Sequence, residues 1–395
     1  MDTILSQRVQ QIKPSPTLAV AAKAGQLKAE GRDIIGLGTG EPDFDTPEHI
    51  KQAAVEAIGQ GFTKYTPVDG IVELKAAIID KFSRDNGLHY EPSQILVSSG
   101  GKQSIFNLAQ AMLEAGDEVI IPAPYWVSYP DIVLLAGAKP VIIDTSIEQD
   151  FKITAEQLEQ TINEKTRLVF LNSPSNPSGK AYSAEELRAL ADVLLAHPHV
   201  MVATDDMYEH ILWAEEPFAN ILTVCPELYE RCIVLNGVSK AYAMTGWRIG
   251  YAGGPAKLIA AMKKIQSQST SNPCSISQKA AVAALNGDQA PVAAMVAEFK
   301  RRHDTVYQRL SSMQGVKVTP ADGTFYIFPD VSAWIKAKGF ANDVELAAAL
   351  LEEVGLALVP GSAFGCEGCI RLSFAASDDT LDQALSRLEK FSQNA

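Results

Sequence analysis

The sequence predicts an α/β fold, with a large, mostly parallel sheet that carries helices on both faces and a smaller α+β domain beside it. Two observations support this prediction. Short apolar runs typical of buried strands alternate with segments that open on helix-start signals, such as Ser183-Ala-Glu-Glu. Polar or glycine-rich turns follow several of the strands, where an open α/β sheet places its ligands. We therefore expect the functional residues at the carboxyl ends of these strands.

Length, charge and composition limit the classes of protein. A chain of 395 residues suggests two or three domains. The net charge of −13 disfavours a nucleic acid or an anionic membrane as partner. No apolar run approaches the ~18 residues of a membrane helix, and the first residues lack a signal-peptide apolar core. We therefore expect a cytoplasmic protein.

The elements can be predicted in chain order. Strands are expected near Asp33, Gln94, Glu118, Val141, Arg167, Val200, Ile233, Val316, Thr324 and Ile370. Helices are expected over Leu18 to Lys28, after Thr46, after Ser104, after Ser183, from Tyr251 to about Asn286 and from Ala290 to Leu310. We expect an N-terminal arm over 1–11, a large domain over 46–288, and a discontinuous small domain over 12–45 with 289–395.

The segment 234–251, VLNGVSKAYAMTGWRIGY, organises the candidate site. The small or apolar neighbours of Lys240 would desolvate its ammonium and lower its pKa. A neutral amine is the nucleophile needed for a Schiff base with an aldehyde, and Arg248 adds a fixed cation that suits a phosphate. The pair indicates pyridoxal phosphate, although a lysine after a strand is more often an ordinary surface residue.

Four further positions carry chemistry. Gly100-Gly101-Lys102-Gln103 joins a strand to a helix, where the amides of residues 101–103 could cradle a phosphate with Arg248. Trp126 follows a strand, where it could stack on a ring or simply pack in the core. Asp205 at a strand end and Arg371 within an apolar strand would each need an opposite charge if buried. A structural salt bridge is the alternative for Arg371.

The string SKAYAMTGWRIGY closely resembles the coenzyme-lysine segment of class I aminotransferases, in particular the bacterial aspartate aminotransferase subgroup. The resemblance extends from about Val9 to Phe391 and implies the pyridoxal-phosphate-dependent transferase fold of type I. It implies catalytic roles for Lys240, Asp205 and Tyr208. The implied coenzyme-binding residues are Lys240, Gly101, Lys102, Gln103, Trp126, Asn176, Asp205, Tyr208, Ser239, Arg248 and Tyr65. The implied substrate-binding residues are Gly40, Trp126, Asn176, Arg371, Lys102, Thr17 and Ser15.

The resemblance also implies a dimer and a reaction. The family's tyrosine matching Tyr65 reaches the partner's coenzyme phosphate, which implies a homodimer with shared sites. The implied reaction is ping-pong transamination between aspartate or glutamate and 2-oxo acids, namely oxaloacetate and 2-oxoglutarate. Prephenate, or the substrates of another class I amino acid aminotransferase, remain alternatives. A β-lyase or decarboxylase would share the coenzyme pocket. A transcriptional regulator, which would need a DNA-binding domain with a basic face, is disfavoured by the acidic charge and by an enzyme pattern that begins by about residue 12.

Two details qualify the resemblance. Asp205 keeps the family's three-residue spacing to Tyr208, and Asp206 is the alternative if the register is off by one. Some family members bind the distal carboxylate with an arginine from the partner subunit, shortly before a Ser-Asn-Pro. Here Ile265 to Pro273 contains no arginine. Lys102 is therefore the candidate cation for that carboxylate, with Thr17 and Ser15 as hydrogen-bond donors.

The five cysteines are odd in number and irregularly spaced. Cys366-Glu-Gly-Cys369 is formally a CxxC, but neither a second pair nor a matching histidine pair accompanies it. The sequence therefore favours unpaired thiols and predicts no metal site.

Overall fold

A computed structural model describes the chain from residue 4 to residue 393. Within that range the α-helices are α1 (Gln7–Gln11), α2 (Pro16–Ala29), α3 (Glu48–Gly59), α4 (Val72–Asn86), α5 (Gly101–Met112), α6 (Tyr129–Leu135), α7 (Ala155–Thr161), α8 (Ala184–Ala196), α9 (Ile221–Val224), α10 (Ala256–Ser267), α11 (Ser275–Asn286), α12 (Ala290–Ser311), α13 (Ser332–Lys338), α14 (Asp343–Val354) and α15 (Asp378–Gln393). The strands are β1 (Ile35–Gly36), β2 (Ile95–Ser98), β3 (Glu118–Pro122), β4 (Lys139–Ile143), β5 (Thr166–Asn172), β6 (Met201–Asp205), β7 (Cys232–Gly237), β8 (Gly250–Gly253), β9 (Tyr326–Ile327), β10 (Leu356–Ala357), β11 (Val359–Pro360) and β12 (Ile370–Ser373).

The largest sheet in the described chain has seven strands in the order β2-β8-β7-β6-β5-β3-β4. Strand β8 runs antiparallel to both of its neighbours, β2 and β7. The pairings of β3 with β4 and β5, and of β6 with β5 and β7, are parallel. The predicted α/β class with a large, mostly parallel sheet is confirmed.

The sheet is apolar on both faces. Successive side chains of a strand point to opposite sides, and here the residues on both sides are apolar. In β5, Leu168 and Phe170 pack into one core cluster. Val169 and Leu171, between and after them, pack into another. Near-continuous apolar strands of this kind are typical of a parallel sheet covered by helices on both sides, and the site residues therefore collect at the strand ends.

The chain outside this sheet builds a second core. Strands β11, β12 and β9 form an antiparallel sheet, and β1 pairs in parallel with β10. Helix α12 contributes Phe299 and Val306 to a cluster that also contains Leu37. An early segment thus packs with the last third of the chain, as a discontinuous small domain requires. The boundaries at 45/46 and 288/289 stay predictions, and residues 1–3 of the predicted arm lie outside the described range.

Three local predictions need correction. Val316 to Val318 forms no strand, because only Lys317 pairs there, in an isolated bridge with Asp330. The helical pattern from Tyr251 to Asn286 begins with β8 and then divides into α10 and α11. Strands β8, β10 and β11 were not predicted, since they span two to four residues and β8 is bounded by glycines. Across residues 4–393, no helix is long and apolar enough to cross a membrane.

Candidate active site

A cavity of about 310 Å³ lies beside the carboxyl ends of β5 and β6, where Asn172 and Asp205 pair across the sheet. It brings together most of the residues that the sequence singled out. These are Thr17, Gly40, Gly101, Lys102, Trp126, Asn176, Asp205, Tyr208, Ser239, Lys240, Arg248 and Arg371. Ser15, Gln103 and Tyr65 do not line it.

Lys240 lies in the turn that follows β7, and its side chain points into the cavity. Its Nζ donates a hydrogen bond to the carbonyl oxygen of Gly40 at 2.6 Å. Burial and the neighbouring Arg371 lower the pKa of Lys240 to about 8, although Glu41 acts in the opposite direction. A neutral amine is therefore within reach near physiological pH, as nucleophilic chemistry requires.

Asp205 ends β6 as a buried carboxyl without an opposite charge. Its Oδ2 accepts a hydrogen bond from the Tyr129 hydroxyl at 2.6 Å, and its Oδ1 accepts one from the Met207 backbone N–H at 3.3 Å. Burial raises the pKa of Asp205. Since no ion pair forms to it within residues 4–393, the carboxyl can serve a cationic ligand group.

Asp206 has different surroundings from those of its neighbour. Its carboxyl accepts hydrogen bonds from Thr204 Oγ1 at 2.6 Å and from the Asn220 amide. Burial, followed by the charge of Glu209, raises the pKa of Asp206 to about 8. The Asp206 side chain does not line the cavity, whereas Asp205 does. The Asp206 carboxyl instead joins the side chains of Thr204 and Asn220.

Arg371 is the second charge in the cavity that has no opposite partner. Only 2% of the residue is exposed. Its Nη1 donates to Asn176 Oδ1 at 2.9 Å, Nη2 donates to the Gly38 carbonyl at 2.6 Å, and Nε has no partner. The guanidinium lies 4.4 Å from the ring centre of Tyr326. The alternative of a structural salt bridge is not realised within residues 4–393, so this cation remains available for an anion.

Tyr326 is a cavity residue that the sequence reasoning missed. Its hydroxyl lies 3.0 Å from the hydroxyl of Tyr208. A Cβ on Gly40 would lie only 2.5 Å from the same hydroxyl, so the Gly40 backbone can pass there only without a side chain. Tyr129, the donor to Asp205, was missed as well. The unbroken apolar run Phe325 to Phe328 predicts a strand but gives no sign of which side chain meets a ligand.

The turn before α5 lies against Arg248, at the place where the sequence predicts a phosphate cradle. Gly100 has a φ of +89°, and a Cβ there would overlap the Arg248 guanidinium. Arg248 Nη1 is held by the Thr245 carbonyl at 2.9 Å. The third residue of the predicted cradle, Gln103, does not line the cavity, and its backbone N–H donates to the Gly100 carbonyl at 3.0 Å. It therefore closes the turn, and Gly101 with Lys102 remains at the cavity.

The remaining predicted residues lie at or beyond the edge of the cavity. Lys102 Nζ lies 5.0 Å from the ring centre of Trp126, and burial together with Arg248 lowers its pKa. Ser15 Oγ lies 3.0 Å from Thr17 Oγ1, so Ser15 contacts a residue that lines the cavity without lining it itself. Tyr65 lies outside the cavity and is 92% exposed. Nowhere in residues 4–393 do three or more His, Cys, Asp or Glu side chains form a group suited to a metal ion.

Comparison with known proteins relates this arrangement to a family. The profile of the family described as aminotransferase class I and II matches residues 32–388. The aspartate/prephenate aminotransferase of Nitrosomonas europaea is 60% identical, over 97% of this chain and 98% of that protein. The aspartate aminotransferase of Bacillus sp. is 48% identical, over 99% and 100%.

Solved structures are similar over nearly the whole chain. The aspartate aminotransferase from Rhizobium meliloti superposes with a TM-score of 0.94 at 48% identity, over 99% of both chains. The aspartate aminotransferase from Thermus thermophilus with maleate gives 0.93 at 43% identity, over 99% of this chain and 100% of that one. The chain belongs to the aminotransferase class I and II family.

Proposed function

We propose that the protein transfers amino groups between aspartate or glutamate and the matching 2-oxo acids by a ping-pong mechanism, with pyridoxal phosphate as coenzyme. The observation that carries this proposal is one cavity holding a lysine, a carboxyl and a guanidinium that do not neutralise one another. Lys240, Asp205 and Arg371 all line it, and none makes an ion pair in the described chain. Relatives named for aspartate transamination support the choice of substrate.

The residues present fit the coenzyme. Asp205, buried and without a cation, suits a protonated ring nitrogen. The turn at Gly100 and Gly101, at the start of a helix and against Arg248, suits a phosphate. Lys240, with its lowered pKa, suits the aldehyde. We assign the coenzyme contacts to these residues, with Asn176, Tyr208, Trp126 and Ser239 around them.

The chain's own residues divide the work. Bound pyridoxal phosphate supplies an aldehyde carbon and a ring that accepts electrons. Arg371 binds the substrate α-carboxylate through its two Nη groups, a fork that matches a carboxylate. Asp205 keeps a negative charge beside the ring. Lys240, as a neutral amine, takes the proton from the substrate Cα and returns it as an acid.

Substrate choice depends on a second cation at the cavity edge. A distal carboxylate left without a cation in a closed site costs several kcal/mol. Lys102 is the lysine that lies over Trp126 at this edge, with Thr17 nearby. We infer that Lys102 binds the distal carboxylate and that Thr17, supported by Ser15, donates a hydrogen bond to it.

Prephenate is the second candidate substrate. The relative with 60% identity is named for both aspartate and prephenate. The cavity is also lined by Leu18 and Ala21, apolar residues of α2 beside Thr17, which could cover a ring between two carboxylates. We therefore propose prephenate as an additional amino acceptor.

The test of the proposed function is a panel of amino donors with 2-oxoglutarate, with and without Lys102→Ala. We expect amino transfer from aspartate and glutamate. Lys102→Ala should raise KM for aspartate and oxaloacetate about tenfold or more, with little change for alanine, because only the dicarboxylates lose a partner. Lys257→Ala, an exposed lysine away from the cavity, is the control. Release of pyruvate or CO₂ without amino exchange would show a lyase or decarboxylase instead.

A homodimer with shared sites is part of the proposal. Tyr65 is 92% exposed, and apolar Leu18 and Val72 are 69% and 77% exposed. Exposed apolar residues near a site are typical of an interface. We propose that Tyr65 reaches the coenzyme phosphate in the partner subunit. A cytoplasmic location stays a prediction from the sequence.

Mixed dimers test this arrangement directly. Tyr65→Ala and Lys240→Ala subunits, each impaired alone, should regain activity when refolded together, because one site then takes Lys240 and Tyr65 from different chains. Up to half of the wild-type activity per mixed dimer is expected. No recovery in mixed dimers verified by mass would place Tyr65 and Lys240 of one site in the same chain.

A further inference from the structure

Cys366 and Cys369 lie side by side in the loop between β11 and β12. Their Sγ atoms are 3.7 Å apart. Between them Gly368 adopts a φ of +89°, which turns the chain back so that both side chains point the same way. Cys369 is buried at 4% exposure, whereas Cys366 is partly exposed. The pair thus has one thiol that solvent can reach and one behind it.

The loop is joined to the carboxylate-binding side of the cavity. Cys369 is two residues before Arg371, and its carbonyl accepts a hydrogen bond from the Gly361 N–H at 2.8 Å. Phe364, in the same loop, lies 4.9 Å from the Arg371 guanidinium. A change in the loop can therefore reach Arg371 in two ways, along the chain from Cys369 and through the Phe364 ring.

The two thiols differ in a way that suits an attacking and a resolving cysteine. The hydrogen bond with Cys369 lowers the pKa of Cys366 despite burial, and the same contact with burial raises the pKa of Cys369. Thiolate is the reactive form, so Cys366 reacts first. Among the other cysteines of residues 4–393, all of which are free thiols, Cys225 and Cys232 are buried and Cys274 is exposed.

We propose that Cys366 and Cys369 form a reversible disulfide with a low-molecular-weight disulfide as oxidant, and that its formation weakens carboxylate binding at Arg371. The Cys366 thiolate attacks one sulfur of the small disulfide, forms a mixed disulfide and expels one thiolate. Cys369 then loses its proton, attacks the Cys366 sulfur and expels the second thiolate. Two protein thiols are oxidised, and the small disulfide is reduced to two thiols that take up the two protons.

The experiment uses the holoenzyme with oxidised glutathione, followed by alkylation and mass mapping. We expect the peptide containing Cys366 and Cys369 to lose two hydrogens and both alkylation sites, and dithiothreitol to restore them. Cys274→Ser, the control for a lone exposed thiol, should behave like wild type in this respect. Cys369→Ser should instead retain one glutathione on Cys366, because the resolving thiol is gone.

Substrate kinetics test the connection to Arg371. Oxidised wild type should show a severalfold higher KM for aspartate with kcat changed less, and Cys366→Ser should not respond to the oxidant. Alkylatable thiols at both positions in excess oxidised glutathione, or a stable glutathione adduct on wild-type Cys366, would refute the disulfide. A disulfide that leaves KM unchanged would refute the coupling. Neither thiol readout depends on the proposed transamination.

Discussion

Two buried cations in this protein have opposite electrostatic surroundings. Lys81, with 0% exposure, forms an ion pair with Glu209 and donates to Asn86 Oδ1 at 2.7 Å. Within residues 4–393, Arg371, with 2% exposure, has only the neutral oxygens of Asn176 and Gly38 as acceptors. One charge is neutralised inside the protein, whereas the other is held by groups that carry no charge.

This difference distinguishes a buried charge that stabilises the fold from one that is available to bind a ligand. A buried charge without an opposite partner costs several kcal/mol, so such a group persists where a ligand completes it. Lys81 ties α4 to the segment after β6, outside the cavity. Arg371, Lys240 and Asp205 all lie in the cavity. Charges that are paired should therefore govern stability, and charges that are unpaired should govern activity.

Lys240→Ala should show the largest separation of the two properties. Amino transfer should fall by about 10⁴-fold or more, because the group that moves the proton is lost. The unfolding free energy of the coenzyme-free protein should be unchanged or higher, since the ammonium has no anionic partner in the described chain. Single-turnover absorbance and urea unfolding measure the two effects. Activity within tenfold of wild type would remove Lys240 from the mechanism.

Arg371→Leu and Lys81→Met form a matched pair of variants. Arg371→Leu should lower kcat/KM for aspartate by about 10³-fold, close to the loss from leaving a carboxylate unpaired, without lowering the melting temperature. Lys81→Met removes the ion-pair partner of the buried Glu209 carboxylate, which keeps the amides of Asn86 and Asn236 as close donors, and should cost about 3–5 kcal/mol of unfolding free energy. Substrate kinetics and thermal unfolding of both variants check this. Similar losses of stability in both variants would contradict the expectation that Lys81 stabilises the fold and Arg371 does not.

Asp205→Asn and Asp206→Asn sharpen the comparison between adjacent carboxyls. Asp205→Asn should lower kcat by about 10²-fold or more, because a neutral amide cannot stabilise a cationic ring. Asp206→Asn should act mainly on stability, by about 1–3 kcal/mol, because its amide would face the Asn220 amide. The absorbance of bound coenzyme as a function of pH should shift only for Asp205→Asn. A reversed ranking would assign the ring contact to Asp206.

The sequence singled out the charged residues that line the cavity and two of its aromatic residues, Trp126 and Tyr208, but it gave no sign of Tyr326. Arg371 stands out because a guanidinium within an apolar strand needs an anion. Tyr326 does not stand out, because a tyrosine within a continuous apolar run also fits a core. Its contact with Tyr208 depends on how two distant segments pack. Gln103 shows the same limit, since a helix-start pattern does not show which amides the turn uses.

The short strands show why part of the fold was missed. β8 has glycines at both ends and little of the β-branched content that marks a strand, and its place between β2 and β7 comes from tertiary pairing. The two residues each of β10 and β11 are too few for a periodic pattern. The long buried strands were predictable because burial on both faces leaves an almost unbroken apolar run.

One acceptor of each of the two cavity cations is a main-chain atom, the carbonyl of Gly38 for Arg371 and that of Gly40 for Lys240. A side-chain substitution cannot delete a carbonyl oxygen, so these resting contacts have an inherent mutational robustness that contacts such as Asn176 to Arg371 lack. Under the proposed function, a substrate carboxylate would replace the neutral acceptors of Arg371 with charged ones, which form stronger hydrogen bonds. A substitution at residues 38–40 can thus alter the path of the backbone, but it cannot remove the carbonyl oxygens that accept from Arg371 and Lys240.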